Sequence, residues 1–324
     1  MEIMVKKILK VLMPRLVINL YKKVKSAGAF KFYKNIEKVK INCPLCGSVE
    51  SEEVFVGDRY GMGIRTVICP KCKFIYTNPQ PTSAEMIKFY SNDYRRYYFS
   101  AEDPYLEGFA KSKIALTANR RAEEIFKKVS EYCTNNPIVL DIGCGEGALL
   151  ESFRRAYPEA QLYGCEPDIK YSQYAAERSK SIVINGGLDD FIKKEKGRKF
   201  DIVTISHVLE HMLDPIAALR AIKNILATDG ILYIEVPNMI SEKSHGISMF
   251  HIAHLVHFIP GSLLFALNIS GLSPVKLYLD PHDVEDYAMS VICKRTNVKD
   301  VREFEVEGPT VSEIKGIIRK SLSI

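Results

Sequence analysis

With 324 residues, 47% of them apolar and 26% charged, the chain has a globular composition and enough length for a catalytic domain with a smaller companion. No apolar run approaches the ~20 residues of a helical membrane span, so a soluble protein is expected. The net charge of +6 is concentrated in residues 1–40, where eleven Lys/Arg face only Glu2 and Glu37; the rest of the chain sits at −3, which argues against a catalytic face that grips nucleic acid.

The first segment, residues 1–40, places Leu16, Val17, Leu20, Tyr21 and Val24 at helical spacing among Arg15, Lys22, Lys23 and Lys25, after a break at Pro14. It reads as a basic amphipathic helix with two roles open to it. Residues 1–25 either lie on an anionic membrane surface or pack on the protein with their lysines solvated. Its apolar runs are too short for a signal-peptide core of ~7–15 residues, so a cytoplasmic protein is expected, with peripheral attachment to the inner face of the membrane as the sharper alternative.

Eight cysteines without an export signal favour metal or structural roles over disulfides. Cys43-Pro44-Leu45-Cys46 and Cys69-Pro70-Lys71-Cys72 are two C-x-x-C knuckles separated by 22 residues. Short strands around Val54–Val56 and Thr66–Ile68, with a turn at Gly61-Met62-Gly63, complete a ribbon over residues 41–80. Four thiolates from two loops can close a tetrahedral Zn²⁺ site, and metal binding supplies folding energy that so small a core lacks. With four cysteine ligands no coordination position stays open, so Cys43, Cys46, Cys69 and Cys72 are expected to hold a structural zinc, not a catalytic one.

Residues 81–132 are expected to form a helical linker or lid. Thr82 or Ser83 caps a short helix through Ile87 and Tyr90. Tyr90, Tyr94, Tyr97, Tyr98 and Phe99, with Arg95 and Arg96 among them, pack as core or form an aromatic lid. A long helix is predicted over 105–131, with Ile114, Ala118, Ala122, Ile125 and Val129 on one face.

From residue 133 to 295 the pattern alternates strands and helices as a parallel sheet requires. Strands are predicted at 138–142, 161–165, 181–185, 200–205, 230–236, 274–279 and 287–293. Helices are predicted near 147–157, 169–180, 188–196, 214–227 and 260–270. The last two strands form a hairpin-like pair around Asp280-Pro281-His282-Asp283, and residues 296–324 read as a charged tail with room for one helix. The fold expected is α/β, a Rossmann-like seven-stranded sheet with a small N-terminal zinc ribbon.

The first strand runs into Asp141-Ile142-Gly143-Cys144-Gly145-Glu146-Gly147, a glycine loop that lets backbone approach a ligand closely at the start of a helix. Because Gly143-x-Gly145-x-x-Ala148 also satisfies the dinucleotide pattern, the loop alone does not separate a nicotinamide cofactor from S-adenosylmethionine. Asp141 favours the latter, since a carboxylate suits a cationic sulfonium and would crowd a pyrophosphate. Glu166, 25 residues further on in Gly164-Cys165-Glu166-Pro167-Asp168, can accept ribose hydroxyls. A seventh strand beside the sixth also favours methyl transfer.

Val139 to Gly147, Gly164 to Asp168 and Ser206-His207-Val208-Leu209-Glu210-His211-Met212-Leu213-Asp214-Pro215 together resemble the class I methyltransferases related to ubiquinone-biosynthesis O-methyltransferases, over residues 120–293. The ribbon followed by Tyr76-Thr77-Asn78-Pro79-Gln80-Pro81 is similar to the zinc-ribbon subgroup found among sugar and cell-surface polysaccharide methyltransferases. The resemblance implies S-adenosylmethionine as cofactor, with Asp141, Gly143, Cys144, Gly145 and Gly147 around its methionine part. It implies Glu166 and Pro167 at the ribose, Leu188 and Asp189 at the adenine, and Ser206 at the edge of the site. Gly186-Gly187 departs from relatives that hold an acidic residue near the adenine amino group; Asp189 or Asp190 stands in.

Methyl transfer aligns acceptor, methyl and sulfur, and a hydroxyl acceptor must also lose its proton. His207, at the carboxyl edge of the sheet, is the first candidate base, with Glu210 orienting an imidazole or holding the acceptor. His251, His254 and His257 follow the fifth strand at three-residue spacing. A metal reading is open there, but acceptor contact is preferred, with His254 as a second candidate base. Ribbon-bearing sugar C-methyltransferases carry a further large C-terminal domain where this sequence has 31 residues after Cys293, so the reading favours O-methylation of a sugar or glycolipid intermediate. A quinone-type acceptor, RNA, and a non-catalytic cofactor-binding role are the alternatives.

Overall fold

The computed structural model describes residues 31–90, 103–243, 246–279, 287–296 and 308–322. The amphipathic segment around Leu16 to Lys25, the aromatic run Tyr94 to Phe99 and the Asp280–Asp283 turn lie outside them. Among the described residues no helix is long and apolar enough to cross a membrane.

The alternating region folds as read. Strands β6 (Ile138–Ile142), β7 (Gln161–Glu166), β8 (Ile182–Asn185), β9 (Phe200–Ser206), β10 (Leu226–Pro237), β12 (Leu272–Leu279) and β13 (Ala288–Arg295) form one seven-stranded sheet. Its order is β12-β13-β10-β9-β6-β7-β8, parallel except for β13, which is inserted antiparallel between β10 and β12. Buried on both faces, the central strands are near-continuous apolar runs, such as Val139-Leu140 and Ile202-Val203. Neighbouring strands run in opposite connection directions from the β6/β9 junction, which opens a crevice at their carboxyl ends.

Helices α2 (Lys113–Ser130), α3 (Ala148–Ala156), α4 (Ile169–Ser179), α5 (Leu188–Lys194), α6 (Pro215–Ile225) and α7 (Pro260–Ile269) cover the sheet. Their starts follow local chemistry. Ser112, Asp168 and Asp214 each accept a hydrogen bond from a first-turn backbone N–H, and Pro215 takes the first helical position of α6.

Helix α2 is shorter than the predicted 105–131. Gly108 adopts a left-handed conformation, a 3₁₀ turn spans Phe109–Lys111, and Ser112 caps the helix that follows. Ala122, Ile125 and Val129 of α2 pack with Leu149 and Phe153 of α3, so this helix belongs to the catalytic core although a linker was expected before residue 133.

The ribbon is not a separate bead. Strands β2 (Glu52–Val56), β3 (Arg65–Ile68) and β4 (Ile75–Thr77) form an antiparallel sheet that β11 (Val256–His257), from the catalytic domain, extends. A separate small pair, β1 (Lys38–Val39) with β5 (Gln80–Pro81), precedes α1 (Ser83–Lys88). The charged tail contributes α8 (Val311–Ser321), capped by Thr310 and Glu313, whose Ile314 and Ile318 pack with Val54, Ile68, Met249 and Phe250.

Candidate active site

The glycine loop between β6 and α3 turns through left-handed backbone at Gly143, Gly145 and Gly147. A Cβ on Gly143 would lie 2.3 Å from Val208 Cγ2, and one on Gly147 2.9 Å from the backbone of Ala175, whereas Gly145 faces open space. Two of these glycines therefore serve packing, and the third leaves room for a ligand. The N–H groups of Gly143 and Cys144 both donate to the carbonyl of Cys165, which pins the loop to β7.

Asp141 is buried at the end of β6, where the Thr204 hydroxyl donates to its Oδ1 at 2.7 Å. Burial above all, with Glu166 and Glu146 nearby and Thr204 opposing, lifts its carboxyl to about 7. A buried carboxylate in such company is suited to a cation. Glu166 accepts from the N–H groups of Gly145 at 3.2 Å and Asp168 at 3.0 Å. With about four acceptor positions, a carboxylate can keep both contacts and still take ribose hydroxyls.

Leu188 is buried and Asp189 exposed at the start of α5, while Asp190 accepts from the N–H of Gly187 at 3.1 Å. Asp190 is thus engaged in capping, and Asp189 is the carboxylate that faces outward. Pro167 is exposed and its carbonyl accepts from Asn185; Cys144 is buried against Gly164. Ser206 donates to Glu235 Oε1 at 3.1 Å. All these residues gather at the carboxyl ends of β6, β7, β8 and β9. The set fits S-adenosylmethionine by its donor chemistry: a buried anion for the cationic end, open backbone at Gly145, and a loop-bound carboxylate for the ribose.

Across the crevice, His207 follows β9 in a left-handed conformation, φ 54°, that only a minority of non-glycine residues adopt. Its Nδ1 lies 3.4 Å from Glu210 Oε1 and its Nε2 3.3 Å from Glu235 Oε1. Glu235 is fully buried, accepts from Tyr233 Oη at 2.6 Å, and has Arg121 Nε at 3.9 Å. Held between two carboxylates, His207 presents both ring nitrogens to anions. Its ring is thereby fixed at the carboxyl edge of the sheet, where a candidate base was expected.

Glu210 sits in the 3₁₀ turn Leu209–His211, buried, and neither carboxylate oxygen has a hydrogen-bond partner among the described residues. His211 Nε2 and His254 Nε2 each stand 3.9 Å from its Oε1. His211 Nδ1 meets the hydroxyl of Tyr90 at 3.1 Å, and His254 Nδ1 lies 3.0 Å from the carbonyl of Met249. Since a carbonyl only accepts, His254 carries its proton on Nδ1. Burial first lowers both His211 and His254 below the usual histidine range, against Glu210 and with a smaller push from His207 for the former, and with the neighbouring imidazoles for the latter; burial alone takes His257 to about 4. These rings are neutral at pH 7.

The backbone explains how residues so distant in sequence converge. Leu255 donates its N–H to the Glu210 carbonyl at 3.0 Å, and Thr77 of the ribbon donates to the Leu255 carbonyl at 2.9 Å. Glu210, His254 and His257 then line a small cavity with Met239, Met249 and Phe258. Among the described residues, His254 is the one of the three evenly spaced histidines that joins a group able to hold a metal, and its companions are Glu210 and His211, not His251 and His257.

In the ribbon, Cys43 Sγ lies 3.4 Å from Cys72 Sγ and Cys46 Sγ 3.6 Å from Cys69 Sγ, with all four sulfurs within 4.8 Å of one another. A tetrahedral zinc with bonds near 2.3 Å places its sulfurs about 3.8 Å apart, so the four cysteines fit the expected ion.

Sheet order, loop and carboxylates together define a class I S-adenosylmethionine-dependent methyltransferase domain. Residues 114–272 match the family model described as a methyltransferase domain. The chain is 33% identical over 108 residues to a ubiquinone biosynthesis O-methyltransferase of Actinobacillus pleuropneumoniae serotype 5b (strain L20), covering 31% of this chain and 45% of that protein. It is 27% identical over 163 residues to a Schizosaccharomyces pombe protein named as a methyltransferase, covering 45% and 53%. The chain thus spans about half the length of the curated relatives it matches. The plantazolicin methyltransferase BpumL, solved with SAH, superposes with a TM-score of 0.51 at 16% identity over 66% of this chain and 95% of that one, which shows the shared fold.

Proposed function

We propose that the chain is an S-adenosylmethionine-dependent O-methyltransferase acting on the hydroxyl of a quinone-type phenolic small molecule. The observation that carries the reading is the cluster of neutral imidazoles around a buried carboxylate, which begins just after the carboxyl end of β9. Such a cluster suits an acceptor that must lose a proton. When bound, S-adenosylmethionine supplies an activated methyl group. Asp141 holds its cationic end, Glu166 its ribose, and Leu188 with Asp189 its adenine.

The name of the first relative favours a phenolic quinone precursor over the sugar hydroxyl that the ribbon resemblance implies. Structural zinc in the ribbon and a cytoplasmic location, at most peripheral on a membrane, complete the reading; nucleic acid is not among the partners.

Incubation with methyl-labelled cofactor and a panel of dihydroxylated phenols, nucleotide sugars, glycolipids and RNA tests it. Label on a phenolic oxygen is the expected result. Label confined to sugars or RNA overturns the acceptor class, and no cofactor binding by calorimetry overturns the reading altogether.

A further inference from the structure

We propose that Glu210, His211 and His254 form a second metal site, separate from the four cysteines, which binds a first-row divalent cation such as Zn²⁺ or Co²⁺ and places it against the acceptor.

Electrostatics calls for a cation at this point. The Glu210 side chain is 2% exposed, yet neither of its oxygens has a hydrogen-bond partner among the described residues. An ionised carboxylate so buried is costly unless paired. Its nearest facing group is His207 Nδ1, 3.4 Å from Oε1, an imidazole already shared with Glu235 through its other ring nitrogen. His254 spends its proton on the Met249 carbonyl, so the Nε2 turned toward Glu210 is a lone pair directed at an anion. His211 places its own Nε2 at the same distance, with Tyr90 engaging the other ring nitrogen. Hydrogen-bonding the far nitrogen of an imidazole to a carbonyl or hydroxyl is the way proteins orient histidine ligands toward metals.

The donor set also selects the ion. Two imidazoles and one carboxylate match Zn²⁺ and its first-row neighbours, whereas Mg²⁺ and Ca²⁺ prefer oxygen alone. All three donor atoms lie within 4.8 Å of one another. A tetrahedral ion with bonds of 2.0–2.2 Å wants them about 3.4 Å apart, a closure of roughly an ångström. Three protein ligands leave a position open, unlike the closed four-cysteine site. Two of the three ligands, Glu210 and His254, also line a small cavity.

The existence of the site does not depend on the O-methyltransferase reading; its catalytic consequence does. A cation there lowers the proton affinity of an acceptor hydroxyl, as it does for bound water. The hydroxyl proton leaves to solvent, the oxygen lone pair forms the new bond to the methyl carbon, and the carbon–sulfur bond breaks with its electrons passing to the sulfonium sulfur. That accounts for a hydroxyl-activating site in which His207 is already committed to two carboxylates.

Cobalt titration of the metal-stripped full chain is the test, without acceptor or turnover. Two Co²⁺ per chain are expected, one giving the intense sulfur-to-cobalt absorption of a thiolate site and one giving only weak visible bands. Glu210→Gln and His254→Gln should each weaken the second ion at least about 100-fold, since even outer-shell partners are worth 10–100-fold, and leave the thiolate bands intact. Tyr90→Phe should weaken it about tenfold. S-adenosylhomocysteine binding by calorimetry confirms that each variant is folded and reports separately on the cofactor reading. A single Co²⁺, all of it on thiolate, overturns the proposal. So does a second ion that survives both Glu210→Gln and His254→Gln.

Discussion

His257 lies opposite Ile75 in the antiparallel pairing of β11 with β4, which joins the segment carrying His254 to the sheet of the four-cysteine ribbon. Val256 pairs with Tyr76 in the same ladder, and three residues separate Tyr76 from Cys72. A zinc ion held by the four cysteines would therefore be linked to residues 255–258 through main-chain hydrogen bonds. In a Cys72→Ser variant, or after chelation, the amides of 255–258 are expected to exchange with solvent far faster. The seven-stranded sheet should keep its protection, and cofactor binding should survive. Hydrogen exchange resolved by peptide measures both. Unchanged protection across 255–258 would show that the ladder stands without the metal.

A pH dependence follows from Asp141. Its carboxyl is raised from the ordinary 3.8 to about 7, mainly by burial. The folded apo protein accordingly holds a proton there that the unfolded chain releases, so this group costs stability as pH rises from about 4 to 7. A cationic cofactor reverses the balance by favouring the ionised form. Binding must then expel a proton below pH 7, and cofactor affinity should rise by up to about tenfold per pH unit toward 7 and level off above it. Calorimetry from pH 5.5 to 8.5 measures the slope; Asp141→Asn should bind weakly with that slope removed.

The glycine loop and the motif after β9 meet at one contact. Gly143 has φ 72°, and an added Cβ would overlap Val208 Cγ2 at 2.3 Å. Gly143→Ala should destabilise the protein by about 2–4 kcal/mol, combining left-handed strain with overpacking, and should weaken cofactor binding. Adding Val208→Ala removes the overlap but not the strain, so roughly half of the loss should return. Thermal unfolding of the two variants separates the contributions.

These relationships mark where sequence reading reaches its limit. The seven strands of the large sheet were legible to within a few residues, because buried parallel strands are short apolar runs between capping residues such as Asp168 and Asp214. The cofactor loop was legible for a similar reason, since glycines and carboxylates at fixed spacing have few other uses. By contrast, β11 is two residues long, and nothing in Val256-His257 announces that its partner is a ribbon strand some 180 residues earlier. Glu235 was missed because a single acid inside an apolar strand carries no periodic signal; its role depends on Ser206, His207 and Tyr233 arriving from elsewhere. The even spacing of His251, His254 and His257 suggested a set, but the segment is not a regular helix, so spacing did not predict convergence. The start of α2 was overrun because Ile114 and Ala118 continue a plausible apolar face, while Gly108 and Ser112 decide the boundary.

The C-terminal helix supplies the last prediction. Ile314 and Ile318 are fully buried against Met249, Phe250, Val54 and Ile68, the same residues that join the ribbon to the loop carrying His254. Lys315 adds an ion pair to Glu52 at 2.7 Å, which at this partly exposed position contributes at most about 1 kcal/mol. Packing must therefore dominate. Ile318→Ala should cost about 2–5 kcal/mol through lost burial and the cavity left behind, whereas Lys315→Ala should change stability by less than about 1 kcal/mol. Because Met249 accepts the hydrogen bond from His254 Nδ1, the isoleucine variant should also loosen that imidazole. Urea unfolding gives the first comparison, and the width and shift of the His254 ring signals in a proton–nitrogen spectrum give the second. A loss at Ile318 no larger than at Lys315 would show that the helix rests on the ribbon without bracing it.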